Sequence, residues 1–555
     1  MSLKHEPIGD IPELTARVAR ASLPKPSAAM VLRDELGTLF TDQDFRALYP
    51  VRGQPAQSPW RLMLVTVLQF LENLTDRQAA EAVRARIDWK YALGLELTDT
   101  GFDHTVLCEF RERLLQGKLE AFALNRLLER CRERKLLRAG GKQRTDSTHV
   151  LGAVRELNRL ELLGETVRAA LNELAEHAPG WLRQAAPPEW LERYAHRVEE
   201  YRLPHAQSKR DEYAQQVAED GLALLQALEG HPDKPEGARL LALPRVRALS
   251  EVWEQQCQRT RKGIRVKRPK ELPPGAARIE SPYDPGARHS IKRETHWTGY
   301  KVHISESCDE DLPNLVTDVL TTPASTADVS ATRPVLERLD ARGLPPGEYL
   351  VDLGYVDAKL LVESEARGMD LIAPVRGGSS WQERAGDGAG AFTAEAFEIR
   401  WDERKVVCPQ GKRSWQWNEA HTPSRDTIAV AFDPKDCGVC PVKSQCTRGT
   451  RRGLTLVPRA IFEAREVARE RVKTEEFKRR YHLRAGIEGT VSQGTRAFGL
   501  RRARYRDEGK VGLQHLLVGA AMNVARLVRW WGQDHDRPVK FSPRRSAFER
   551  LMRAA

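Results

Sequence analysis

From residue 1 to about 135, apolar positions recur at helical spacing. Ser58-Pro59-Trp60 opens one helix with a cap residue and a proline at the first helical position, and Leu62, Val65, Leu68 and Leu71 or Phe70 continue it. Asn73-Leu74 ends it, and Thr75-Asp76-Arg77-Gln78 reads as a capping box for the next helix. Two short helices across a tight turn suit a helix-turn-helix, and equally a plain helical bundle. A third helix is expected over Thr105 to Leu115, with Arg111 and Arg113 facing solvent or phosphate.

Further along, the period changes. Lys142 to Val150 carries the acidic Asp146 in a short run with β-branched residues, and from about Arg155 to Glu271 the pattern turns helical and charged, punctuated by prolines at 187, 188, 204, 232 and 235. With no alternating pattern in it, that stretch reads as an all-α insertion. Strand character begins at Trp297 to Ile304, where Thr298, Tyr300, Val302 and Ile304 share one face and Lys301 and His303 the other. Leu315 to Thr321, Tyr349 to Asp352 and Leu371 to Val375 are further strands. Helices are expected over Ser325 to Arg342, with Pro334 in the first turn of its main part, and around Ala358 to Arg367. Strands alternating with helices predict an α/β sheet. Gly377 to Gly390 reads as a mobile loop, and Phe397 to Trp401 and Thr427 to Phe432 as strands of a small insertion. Helices resume near Arg459, and the apolar Val511 to Trp531 is expected to pack under the sheet.

The division that follows is a helical domain over 1–135, a catalytic core over 136–155, 275–376 and 456–535, an all-α insertion over 156–274, a Cys-containing insertion over 377–455, and a basic tail over 536–555.

At 555 residues, with 41% hydrophobic and 30% charged positions, the chain has material for more than one domain and is not of disordered composition. Lys plus Arg exceed Asp plus Glu by 89 to 77, a net charge of +12 with pI near 9.3, which suits a polyanionic partner without proving one. The densest basic run, Arg259, Arg261, Lys262, Arg265, Lys267, Arg268 and Lys270, is either a solvated face or a phosphate surface. The N-terminal residues Met1 to Pro7 contain no apolar signal core. Gln514, His515, Asn523, Arg526 and Arg529 make the late apolar segment a buried helix rather than a membrane span. Eight cysteines suggest no disulfide scaffold, and a reducing cytoplasm is the expected compartment. Four of them, Cys408, Cys437, Cys440 and Cys446, suit a tetrahedral structural zinc site, although their gaps are longer than regular knuckle spacing; reduced thiols are the alternative.

Three acidic residues carry the candidate chemistry. Asp146 lies in Lys142-Gln-Arg-Thr-Asp-Ser-Thr-His149 and Asp352 in Glu348-Tyr-Leu-Val-Asp-Leu-Gly-Tyr355. Glu488 closes Tyr481-His-Leu-Arg484-Ala-Gly-Ile-Glu488, which as a helix puts Tyr481, Arg484 and Glu488 on one face. Singly, Asp146 could cap a helix, Asp352 end a strand and Glu488 pair with Arg484. Together, three carboxylates supply the hard oxygen donors that hold a pair of divalent ions for phosphoryl transfer. Gly494 to Arg506 mixes Arg496, Arg501, Arg502, Arg504 and Arg506 with Phe498 and Tyr505. That mixture suits a nucleic-acid backbone, or a solvated loop with its aromatics in the core.

Tyr-x2-Arg-x3-Glu, with an upstream Thr-Asp-Ser-Thr and a strand-borne Asp-x-Gly-Tyr, resembles the DDE transposases of bacterial insertion sequences, over about residues 35 to 531. The resemblance implies an RNase H-like mixed sheet flanked by helices and two Mg²⁺ ions, with Mn²⁺ able to substitute. It further implies nicking at transposon ends and attack of the freed 3′-OH on target DNA. The partners implied are double-stranded DNA and further copies of the chain, a homodimer or higher oligomer, in the bacterial cytoplasm at the nucleoid. Asp146, Asp352 and Glu488 become metal ligands, and Tyr481 and Arg484 backbone contacts. Where related patterns often carry a lysine seven residues after the glutamate, this chain has Thr495, with Arg496 beside it; an arginine is not a drop-in lysine. A nuclease without strand transfer, or a DNA-binding regulator that has lost catalysis, are the alternatives.

Overall fold

The computed structural model describes residues 2–3, 10–261, 263–292, 294–375, 381–384, 391–422 and 426–532. Most of the loop expected over Gly377 to Gly390, and the tail beyond 536, lie outside the described residues. The chain divides into two compact units, Met1–Leu136 with Glu310–Leu315 and Leu517–Ala555, and Leu137–Asp309 with Val316–Leu516.

The first unit is helical through its N-terminal part. Helix Pro59–Leu71 buries Leu62, Val65, Leu68 and Phe70, and Asp76–Ala85 follows with the expected box: Thr75 N donates to Gln78 Oε1 at 2.9 Å and Gln78 N to Thr75 Oγ1 at 3.3 Å. Two side chains depart from expectation. Ser58 does not cap its helix; its hydroxyl donates to Asp42 Oδ1 at 2.8 Å, and that carboxylate takes the Trp60 N–H instead. Arg111 faces neither solvent nor phosphate. It is buried on Thr105–Gln116 and makes a fork to Asp76 at 3.0 and 2.6 Å, holding two helices together.

The second unit is built on one mixed sheet. Its strands are β1 (Lys142–Leu151), β2 (Arg288–Lys292), β3 (Thr295–Ser307), β4 (Val316–Pro323), β5 (Glu348–Leu350) and β6 (Asp370–Ile372). The long β3 lies antiparallel to β1, and along its other edge it pairs first with β2 and then with β4. On the far side of β1, β5 and then β6 run parallel to it. Four strands joined antiparallel and continued by two parallel ones, connected through helices α1 (Asp328–Ala341) and α2 (Ala358–Ala366), make the α/β sheet that the alternation of elements predicts and the RNase H-like mixed arrangement that the resemblance implies. Pro334 sits at the seventh position of α1, beyond the first turn expected for it. The sheet is covered on both faces: Tyr300, Val302 and Ile304 are buried, and so is His303, whose Nδ1 lies 2.7 Å from the Tyr355 hydroxyl.

Between β1 and β2 come the helices of the insertion, chiefly Arg159–His177, Gln207–Glu229 and Pro244–Gln256, around a core of Leu163, Val167, Val217, Leu224 and Trp253. Its basic end is not helical. Cys257–Thr260 and Gly263–Val266 form a two-stranded hairpin, with Cys257 and Ile264 buried and the charges turned outward. An alternation this short and this charged is masked by the helical pattern before it.

Four helices close the unit: α3 (Arg459–Val472), α4 (Glu475–His482), α5 (Gly486–Phe498) and α6 (Glu508–Trp531). Arg471 forks onto Asp370 at 2.6 and 2.8 Å and Arg480 reaches Glu348 at 3.0 Å, fixing α3 and α4 to the ends of β5 and β6. α6 only begins under the sheet, where His515 Nδ1 lies 2.7 Å from Thr321 Oγ1; from Leu517 onward it belongs to the first unit. By length and composition α6 could cross a membrane, but 78% of its most apolar window is buried in the protein, the setting of a core helix.

Burial lowers the His515 pKa to about 4, below the unfolded value of about 6.5. The unfolded chain therefore takes up this proton first, and stability contributed by neutral His515 is lost as pH falls through that window, by on the order of 3 kcal/mol. A His515→Asn variant is expected to flatten the urea-midpoint slope between pH 6.5 and 4 by about one proton, read from denaturation curves at each pH.

Candidate active site

Side chains alternate along a strand, so Arg144, Asp146 and Thr148 of β1 share one face. The C-terminal helices meet that face. Arg484 donates from Nη2 to Asp146 Oδ2 at 2.7 Å, and Arg501 from Nε to Thr148 Oγ1 at 2.8 Å. Asp352 sits just past the end of β5, where its Oδ1 accepts the Gly354 N–H at 2.8 Å and starts a 3-10 turn. Its Oδ2 lies 3.8 Å from the same Arg484 nitrogen. One guanidinium thus stands between two carboxylates from neighbouring strands. Burial raises the Asp146 pKa, Arg484 opposes that, and the charge of Asp352 adds to it.

Glu488 projects from α5 into an open cleft of about 580 Å³ that Asp146 also lines. Among the described residues it makes no ion pair; Arg484, its expected partner four residues away, is committed to Asp146. The run from Tyr481 to Glu488 is not one uninterrupted α-helix, since Leu483–Ala485 forms a 3-10 turn between α4 and α5. Tyr481 stacks on Phe477 with ring centroids 5.5 Å apart, and burial raises the pKa of its hydroxyl, with Arg484 opposing and the charges of Asp352 and Asp146 adding. Asp352 does not line the cleft that holds Glu488; it joins the group through Arg484.

Cations rim the cleft: Arg496 and Arg501, and Lys292 at the end of β2. Lys292 was not expected, because nothing in its local sequence places it beside Asp146. Only the β2–β3 hairpin does, and Thr495 lines the same cleft. Arg502 pairs its backbone with Leu151, and Arg504 donates its N–H to Gln514 Oε1 at 2.8 Å. Phe498 is buried, so it is a core residue and not a stacking platform.

The four cysteines lie apart from this cleft. Cys408, Cys437, Cys440 and Cys446 line one small cavity of about 40 Å³, all as free thiols, and burial raises the Cys446 pKa, with the other three adding to it. Among the described residues, no three His, Cys, Asp or Glu side chains stand in an arrangement that could hold a metal ion.

A mixed sheet with one carboxylate on its central strand, a second just past the neighbouring parallel strand and a third on a helix facing them is an arrangement found in phosphoryl-transfer proteins. Residues 407–528 match the transposase DDE domain family, and residues 19–113 match the transposase domain (DUF772). With both segments in one chain, the two matches support an insertion-sequence DDE transposase, a family of nucleic-acid-modifying enzymes whose partner is DNA. The first match contains Tyr481, Arg484 and Glu488; Asp146 and Asp352 lie upstream of it. No curated protein matches the chain.

Replacing Arg484 by Met leaves Asp146 and Asp352 to repel each other beside a half-buried strand. Arg484→Met is expected to lower stability in EDTA by about 1–3 kcal/mol, measured by chemical denaturation. An unchanged midpoint would mean that the guanidinium does not bridge them.

Proposed function

We propose that this protein is a DNA transposase that cuts its element's ends and joins the freed 3′-OH to target DNA, using divalent metal held by Asp146, Asp352 and Glu488. The observation that carries the reading is the shared position of these carboxylates around Arg484 and the cleft: Asp146 contacts Arg484, Asp352 approaches the same nitrogen, and Glu488 faces the cleft that Asp146 lines.

The donors are hard carboxylate oxygens, the kind Mg²⁺ or Mn²⁺ takes, although the three do not already stand in a metal-holding arrangement. Bound there, the ions would activate the attacking hydroxyl and stabilise the leaving 3′ oxygen. In their absence Arg484 supplies the counter-charge; with metal in place its guanidinium is available to a phosphate, as is the hydroxyl of Tyr481 beside it. Lys292, Arg496 and Arg501 rim the cleft where a DNA backbone would lie, and Arg502 and Arg504 continue that surface along the loop after α5. The N-terminal helices, 1–135, are assigned to recognition of the element's ends, and the active form to a homodimer or higher oligomer on DNA in the bacterial cytoplasm.

Asp352→Asn is expected to abolish cleavage of linear duplex carrying the ends that flank the gene, with Mg²⁺ present, while DNA binding changes little. Cleavage by that variant would sink the ligand assignment. Joined products from the native protein separate a transposase from a nuclease, and a native protein that binds but never cuts would be a regulator.

The cysteine cavity belongs to the same proposal: Cys408, Cys437, Cys440 and Cys446 line it without yet standing in a metal-holding arrangement, and would draw together around one structural Zn²⁺, which four thiolates suit. Metal analysis of the purified protein is expected to give about one zinc per chain, lost in Cys437→Ser. A stoichiometry near zero removes the zinc.

A further inference from the structure

The Tyr481–Glu488 segment contains a glycine, and a threonine follows it two residues after Glu488; the sheet accounts for both. Arg144 precedes Asp146 by two residues and shares its strand face. It is 7% exposed, and it lies opposite Glu306 of β3, which is fully buried. Arg144 Nε donates to Glu306 Oε1 at 2.7 Å. From Nη1, Arg144 donates to the carbonyl of Leu483, the first residue of the 3-10 turn between α4 and α5. The other Glu306 oxygen accepts the hydroxyl of Thr490, a buried residue of α5. The sheet therefore grips the segment before Arg484, at Leu483, and after Glu488, at Thr490.

Gly486 lies between these grips. Its backbone is ordinary right-handed helix (φ −61°, ψ −23°), so no conformational demand calls for glycine. Space does: a Cβ there would stand 2.0 Å from Arg144 Nη1. Alanine would be the better helix former, yet the guanidinium needs the room. A buried ion pair is a weak source of net stability compared with apolar packing, and its best-attested use is to fix one arrangement over others.

We propose that the buried Arg144–Glu306 pair is a positioning device. By bonding Leu483 and Thr490 it sets where Arg484 and Glu488 stand over Asp146. Neither residue touches substrate; both act through the helix. The inference rests on reading Asp146, Asp352 and Glu488 as the reacting site, so the test carries a control for that reading.

The measurement is single-turnover cleavage, in Mg²⁺, of linear duplex DNA carrying the ends that flank the gene, alongside duplex affinity and thermal unfolding. The proteins are full-length native chain, Thr490→Val, Thr490→Ser, Gly486→Ala and Asp352→Asn. Thr490→Val keeps the shape and loses the bond, and Thr490→Ser keeps the bond. Thr490→Val and Gly486→Ala are expected to cut roughly 10-fold to 100-fold slower, with affinity within about twofold of native and Thr490→Ser close to native. The inference is overturned if Thr490→Val cuts within about twofold of the native rate, if Thr490→Ser is slowed as much as Thr490→Val, or if the slowing only tracks the fraction unfolded. Should Gly486→Ala not fold, the two Thr490 variants decide alone. An inactive Asp352→Asn with a fully active Thr490→Val overturns the positioning role alone, whereas an active Asp352→Asn overturns the site itself.

Discussion

Carboxylates gathered on adjacent strands repel one another, and the repulsion grows as water is excluded. The second unit answers this with arginine. Arg484 stands between Asp146 and Asp352, so two acids from strands that run in parallel share one counter-charge supplied by a helical segment distant in sequence. Everything near the site is arranged to deliver that guanidinium: Arg471 and Arg480 tie α3 and α4 to the ends of β5 and β6, and Phe477 packs into the cluster of Leu350 and Ile372. Arg144 then holds the turn that carries Arg484.

Many arginines are committed to acids of the same chain, some buried and some at the surface, rather than offered to a partner. Arg111 pairs with Asp76, Arg265 with Glu271, Arg333 with Asp357 and Glu363, and Arg342 with the fully buried Asp318. Net charge of +12 therefore says less about a DNA footprint than the location of the cations left at the cleft. Arg496 and Lys292 are exposed and line that cleft, and Arg501 reaches it from a Thr148 anchor. A rim of this kind beside an acidic floor is the charge pattern that a phosphodiester needs: attraction for its backbone, and oxygen donors near the bond to be broken.

Reading the residues alone found β3 to β6 and most of the helices, because those strands contain β-branched or apolar runs and the helices apolar positions at helical spacing; it did not find β2, whose Arg288 to Lys292 is mostly polar. It found the capping box at Thr75, where the donors and acceptors are three residues apart. It did not find the hairpin at Cys257–Val266, whose strands are short and mostly polar, nor the partner of Arg111, since a helix surface position says nothing of what another helix brings to it. Glu488 was offered Arg484 by spacing, but an arginine flexible enough to reach the strand bonds the half-buried Asp146 instead.

Local sequence determined the element types, the strand alternation that puts Arg144, Asp146 and Thr148 on one face, and the identity of the acidic residues, because each depends only on neighbours a few positions away. The tertiary structure alone decided which of them meet. Asp146, Asp352 and Arg484 come together through parallel pairing of β1 with β5 and the docking of α4, interactions between residues more than a hundred positions apart. Lys292 reaches the same cleft only because a hairpin folds it there, and Gly486 is required only because Arg144 passes beside it. Such proximities leave no periodic trace in one chain, since the physical cause lies in the other partner of each contact.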